Sequence, residues 1–176
     1  MEGEALSAYA HTHGVADLAD ADRAVIDANI WGRVTTVALD GPTSASSPTP
    51  AYELTRSPEY APDQPADLEI EFAAGVPMRV NGIDMTLLEM FESLETIGGS
   101  HGIGRTELTT TGSDGRTYRE SSESPAAVIL DAARSALGPD NHNGRARVRL
   151  FKGTCAAHDG GTSPHPAAPN AATAQR

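Results

Sequence analysis

The chain is 176 residues long, 39% hydrophobic and 21% charged, with a formal net charge of −11. It is long enough for one domain with a core, and too acidic for binding that works by neutralising phosphates. One cysteine, Cys155, excludes an internal disulfide, and no cysteine–histidine spacing suits a structural zinc. With no apolar run of membrane-spanning length and no cleavable signal pattern, the expectation is a soluble cytoplasmic protein that binds neither nucleic acid nor membrane.

The charge is unevenly placed: residues 1–95 hold 17 acids and 4 bases, the remainder 7 acids and 9 bases. Residues 39–66, 138–144 and 156–176 are rich in Pro, Ser, Thr, Gly, Asn and Asp, which leaves roughly two-thirds of the chain for packing.

In chain order, residues 2–13 place Leu6, Tyr9 and Ala10 on one helical face, with acids at the end that the helix dipole favours. His11 and His13 diverge on such a helix and read as surface residues rather than metal ligands. After an acidic linker, residues 29–39 carry the β-branched enrichment of a strand, with Trp31 as a packing anchor. A proline-containing loop of unusual length follows, and loops of that length are functional or disordered.

Leu68, Ile70 and Phe72 alternate with Glu69 and Glu71, and Val76 to Val80 resumes the alternation, so the pair reads as a hairpin with one wet face. Asn81-Gly82 makes a further turn. Thr86 and Glu89 form a capping box ahead of the stripe Leu87, Leu88, Met90, Phe91, Leu94 and Ile97. Residues 106–111 and 116–119 flank another hairpin turn. Ser124-Pro125 opens a helix carrying Val128, Ile129, Ala132, Ala133, Ala136 and Leu137, with Gly138 as the stop. Residues 145–152 alternate base with apolar residue, and their basic face is expected to pair with the acidic face of residues 68–72, the alternative being an anionic partner.

The most constrained stretch is Ile97-Gly98-Gly99-Ser100-His101-Gly102-Ile103-Gly104-Arg105. Phosphate-cradling glycine loops run from a strand into a helix, whereas here a helix precedes and a strand follows. The glycines therefore read as a helix end, with Gly98 or Gly99 in a left-handed cap, and as sites of close packing at Gly102 and Gly104.

Three of these segments carry a family resemblance. Asn29-Ile30-Trp31-Gly32-Arg33, the run from Leu68 to Pro77, and the run from Ile97 to Arg105 resemble the C-terminal domain of argininosuccinate synthase. Glu123-Ser124-Pro125-Ala126, Ile129-Leu130 and Leu150-Phe151-Lys152-Gly153 follow in the family's order. The resemblance implies an α+β synthetase domain of antiparallel hairpins and a mixed sheet packed on two to three helices. In the family this domain closes over citrulline while a separate N-terminal domain binds ATP. The family's Ser-Gly-Gly-x-Asp-x-Ser loop is not matched by Gly160-Gly161-Thr162-Ser163, and the start of the chain resembles the last helix of that separate domain. The segment between Leu137 and Gly144 is short for the family, and its C-terminal oligomerisation helix is not matched.

The same resemblance implies substrate positions. Counting without gaps from His101, the family's citrulline-holding glutamate and tyrosine fall at Thr110 and Ser122, where neither side chain can replace the original hydrogen bonds. Three functions follow as expectations. The first is a non-autonomous subunit of an ATP-dependent amino-acid ligase with an altered citrulline site, completed by an ATP-binding partner protein, so that ATP enters only through that partner. The second is a stand-alone enzyme for a small carboxylate substrate, with His101 and Glu123 as acid and base and Arg105 and Arg119 holding the substrate. The structural alternative makes His101 a turn residue, Arg105 and Arg119 cross-strand neighbours, and Glu123 a helix-flanking acid. The third is a non-catalytic binding or regulatory protein. Self-association is expected to cover exposed apolar surface. The expected division is residues 1–38 and 67–153 as one α+β domain, 39–66 as a mobile loop, and 154–176 as a disordered tail.

Overall fold

In the computed structural model of the protein, residues 25–39, 52–113 and 115–157 are described. The core forms around two strands whose apolar residues fall on alternate positions. In β3 (Ala66–Ala73) and β8 (Gly144–Phe151) antiparallel pairing puts Leu68 opposite Val148 and Ile70 opposite Ala146. Period-two alternation sends all of these to one face. There they meet Met90, Phe91 and Leu94 of helix α1 (Leu87–Ser100) and Ala126, Ile129, Ala133 and Leu137 of helix α2 (Pro125–Leu137). Ile70, Met90, Leu94, Ile129, Val148 and Leu150 are completely buried, each worth about 1.5–3 kcal/mol of transfer free energy for its side chain.

Two sheets result, and every strand pairing is antiparallel. Residues of β1 (Val25–Asn29), β2 (Gly32–Ala38), β6 (Arg105–Thr111) and β7 (Thr117–Glu123) form a four-stranded sheet in the order β1-β2-β7-β6. The five-stranded sheet runs β5-β4-β3-β8-β9, adding β4 (Val76–Val80), β5 (Ile83–Asp84) and β9 (Thr154–Ala157). The α+β class and the hairpins expected from sequence are present, without the parallel pairing of a mixed sheet. Thr86 caps α1 through a capping box with Glu89, as its spacing predicts. Ser124 stands at the start of α2 but makes no side-chain cap, and its N–H donates to the Gly104 carbonyl instead.

Four sequence expectations change. The strand expected at 29–39 is the second arm of a hairpin whose first arm, Val25–Asn29, lies in the stretch read as an acidic linker. Thr154–Ala157, assigned to the tail, adds a strand to β8 through a two-residue turn, with Lys152 and Gly153 both at positive φ. In the segment expected to be a mobile loop, Glu53, Leu54 and Thr55 are held by the side-chain hydrogen bonds described below, Pro58–Tyr60 forms a 3-10 turn and Ala66 begins β3. Helix α1 runs through Gly98 and Gly99 to Ser100, with His101 as its C-cap. The helix expected at 2–13, His11, His13 and residues 160–163 lie outside the described residues.

The outward face of the five-stranded sheet is a ladder of matched charge. Arg149 donates to Asp67 at 2.7 Å, Arg147 to Glu69 at 2.9 Å, and Arg145 lies 3.3 Å from Glu71. The basic and acidic strand faces thus neutralise each other, as expected for cross-strand pairs of opposite sign.

Candidate functional site

Strand register divides the predicted site residues between two faces of the four-stranded sheet. Arg33 of β2, Glu123 of β7 and Arg105 of β6 form one cross-strand row, and Thr35, Ser121 and Glu107 the next. This inner face is covered where it meets residues 52–55, leaving Arg33, Thr35, Ser121 and Glu123 buried. Ser122 lies on the outer face with Thr106 and Val34 in its row, and Thr110 lies two rows further on, opposite Tyr118.

Glu123 is the most enclosed ionisable group among the described residues, only 1% exposed. Its Oε1 accepts from Leu54 N–H at 3.1 Å, Thr55 N–H at 2.8 Å and the Thr55 hydroxyl at 2.6 Å, and its Oε2 accepts from Glu53 N–H at 2.9 Å. The Arg33 guanidinium, 3.6 Å away, supplies the opposite charge. The Thr55 hydroxyl in turn accepts from Arg105 Nε at 2.7 Å, and the same guanidinium donates to the Thr55 carbonyl and lies 4.1 Å above the Tyr52 ring. A buried charge persists only when paired and hydrogen-bonded, and this one binds residues 52–55 to the sheet.

The glycine cluster explains how that segment approaches so closely. A Cβ on Gly99 would stand 2.1 Å from the Leu54 carbonyl oxygen, and one on Gly98 would stand 2.7 Å from Ile129 Cδ1. Arg56 N–H donates to the Gly99 carbonyl at 2.8 Å. Gly102 and Gly104 are the left-handed residues, in place of Gly98 or Gly99, and they are also close-packed as expected: a Cβ on Gly102 would stand 2.7 Å from the Arg56 carbonyl oxygen and one on Gly104 2.6 Å from the Ser124 carbonyl carbon. No phosphate is needed to account for these glycines.

His101 is buried, its carbonyl accepting from Gly153 N–H at 2.7 Å, and among the described residues its Nδ1 has no hydrogen-bond partner. Among the described residues no contact joins it to Glu123. Arg119 sits four residues from Glu123 along β7, roughly 13 Å at strand rise, and faces Glu107 at 3.6 Å. Arg105 and Glu123 are therefore brought together through Thr55, while His101 and Arg119 stand apart from them. With its lone pairs engaged by four donors, Glu123 is suited to anchoring rather than to passing a proton. Burial, followed by the charges of Glu123 and Glu92, pushes the Glu95 carboxyl above its ordinary range. Sequence reasoning missed Tyr52, Thr55 and Arg33 because they lie in a proline-rich loop and a strand whose pairing was unknown. The one available signal was Tyr52-Glu53-Leu54-Thr55, an ordinary polar–apolar run inside that loop.

Among the described residues, no group of three or more His, Cys, Asp or Glu is placed to hold a metal ion, and no helix is long and apolar enough to cross a membrane.

A helix-backed antiparallel sheet, joined to a second sheet with one anchored face and one open polar face, defines an α+β domain. The profile of the Arginosuccinate synthase C-terminal domain matches residues 25–139, and the chain belongs to that family. Argininosuccinate synthase of Chlorobium chlorochromatii is 41% identical over 136 residues, covering 76% of this chain and 34% of that protein. The Archaeoglobus fulgidus and Streptococcus uberis proteins of the same name are 40% and 39% identical, each over 33% of their length and over 73% and 74% of this chain. The chain thus spans about one-third of the relatives it matches.

Proposed function

We propose that this domain is the substrate-side subunit of an ATP-dependent carbon–nitrogen ligase of the argininosuccinate synthase type, acting on an amino-acid substrate other than citrulline. The ATP-binding residues lie outside 25–157 and come from a partner unit. The observation that carries the reading is that Thr110 and Ser122 both lie on the outer face of the four-stranded sheet, at opposite ends of the run from Tyr118 to Ser122. At those positions the family resemblance puts a carboxylate and a phenol. Short hydroxyls there remove the charge-assisted and long-reach hydrogen bonds that select citrulline, and selection follows from which buried polar groups must be paired.

The Glu123 anchor supports this reading over the stand-alone acid–base enzyme, because its carboxylate is engaged with backbone and Arg33. Arg105 and residues 52–55 hold β6 and β7 in register, which fixes the spacing of the outer-face side chains. His101 caps the helix whose Gly99 lies against the anchored segment.

The test mixes the full chain with the ATP-binding domain of the Chlorobium chlorochromatii relative and measures ATP consumption across a panel of free amino acids. Consumption driven by an amino acid other than citrulline, requiring both components, is expected. Failure of the two to associate, or turnover with citrulline at the relative's own rate, overturns the reading.

A further inference from the structure

The outer face of the four-stranded sheet holds more than the two altered positions. Strand β7 alternates, so Tyr118, Glu120 and Ser122 share this face. Tyr118 stands directly opposite Thr110, and Glu120 lies between Leu108 of β6 and Thr36 of β2. A phenol and a carboxylate are thus present on the same face, displaced from positions 122 and 110 and carried on neighbouring positions of a single strand.

Glu120 differs from every other strand carboxylate described above. Glu69, Glu71 and Asp67 meet arginines, Glu107 meets Arg119, and Glu123 meets Arg33. Glu120 is partly buried yet makes no side-chain hydrogen bond or ion pair among the described residues. The paired rows of β1, β2, β7 and β6 place one other charged residue on this face, Asp27, and no lysine or arginine. A half-buried carboxylate whose paired rows carry no cation gains most from a ligand that brings its own positive charge and donors.

We propose that Glu120, flanked by Tyr118 and Ser122, receives the ammonium group of an amino-acid-like substrate. The idea rests on the ligase reading in taking the substrate to be an amino acid, and it assigns that substrate's charged end to one side chain. Three N–H donors of an ammonium match the lone pairs that Glu120 leaves unused, and the adjacent hydroxyls of Ser122 and Thr106 accept what remains. The substrate side chain then runs along the row toward Thr110, where a short residue leaves room.

The experiment is calorimetric titration of the full chain, alone and with the ATP-binding domain of the relative. The probes are L-citrulline, L-glutamine, L-ornithine and L-alanine, each beside its Nα-acetyl derivative. At least one free amino acid is expected to bind about tenfold or more tightly than its acetylated form, the scale of one charge-assisted hydrogen bond. Glu120→Gln should bring that ratio to about one, Glu120→Asp should restore part of it, and Glu69→Gln on the other sheet should leave it unchanged. Equal unfolding midpoints of wild type and Glu120→Gln establish that the fold is intact. A ratio preserved in Glu120→Gln, or no binding by any probe in either condition, overturns the proposal. Binding without ATP consumption would overturn the ligase reading and leave this one standing. ATP consumption with an unchanged ratio in Glu120→Gln would do the reverse.

Discussion

The two sheets share antiparallel pairing and treat charge in opposite ways. The five-stranded sheet buries hydrocarbon against two helices and balances acids against arginines on its wet face, so none of its charges is buried without a partner strand supplying the counter-ion. The four-stranded sheet buries a carboxylate, Glu123, and leaves another, Glu120, open on the opposite side of the same strand. The first arrangement makes a scaffold whose exposed ion pairs are individually dispensable. The second makes a surface whose geometry depends on one buried group.

The sharpest test of that contrast is the loss of the buried carboxylate. Glu123→Ala leaves three backbone N–H groups without their acceptor and strips Arg33 of its buried counter-charge, the exposed Glu53 carboxylate 3.3 Å away remaining, and should cost about 3–5 kcal/mol in urea unfolding. A loss below about 1 kcal/mol, the ordinary value for an exposed pair, would erase the distinction between the sheets. Next in size is Gly99→Ala, in which the new Cβ meets the Leu54 carbonyl oxygen. Alanine's better helix propensity offsets part of the strain, and a net loss of about 1–3 kcal/mol is expected by the same measurement.

Glu95→Gln should act in the other direction. Burial and neighbouring carboxylates raise the Glu95 pKa in the folded protein, so its contribution to stability is present at low pH and lost as pH rises through that raised value. The glutamine variant should therefore gain stability over wild type at neutral pH, with the difference closing as the pH falls below the ordinary glutamate range. Removing one rung of the outer ladder by Arg147→Gln should change the unfolding free energy by less than about 1 kcal/mol, and less still at high salt.

The smallest effect concerns Cys155, whose thiol is pushed up to about 11 by burial against the core. A raised folded-state pKa means stability is complete below about 9, the ordinary thiol value, and falls as pH rises toward 11. Comparing wild type with Cys155→Ala over that window isolates the slope, which should be present only in wild type. The same burial predicts slow alkylation at neutral pH.

The scaffold was legible in the sequence because its signals are local. Strict alternation at 68–72 and 145–150, the capping box at Thr86 and Glu89, and the Asn81-Gly82 turn each specify an element without reference to distant residues. The four-stranded sheet was less so. Its pairing joins β2 to β7 across 80 to 90 residues, from Ala38 opposite Tyr118 to Arg33 opposite Glu123, and nothing in either strand announces that register. Residues 52–55 carry no periodic pattern, and they are held by a carboxylate 68 residues later, at Thr55, through backbone groups that every residue possesses. The division of Glu123, Arg105 and Arg119 from Thr110 and Ser122 required knowing which strand positions face each way. The glycine cluster was recognised as constrained, with close packing at Gly102 and Gly104, but that the helix runs on through Gly98 and Gly99 depended on neighbours far away in the chain.

The central claim is that the outer face of the four-stranded sheet selects the substrate. The most direct measurement is citrulline-dependent ATP consumption by the Thr110→Glu/Ser122→Tyr variant, assembled with the ATP-binding domain of the Chlorobium chlorochromatii relative, beside the unsubstituted chain. The account predicts that the substituted chain gains dependence on citrulline while the unsubstituted one shows little. Equal citrulline turnover by both chains would contradict it, because positions 110 and 122 would then have no part in choosing the substrate.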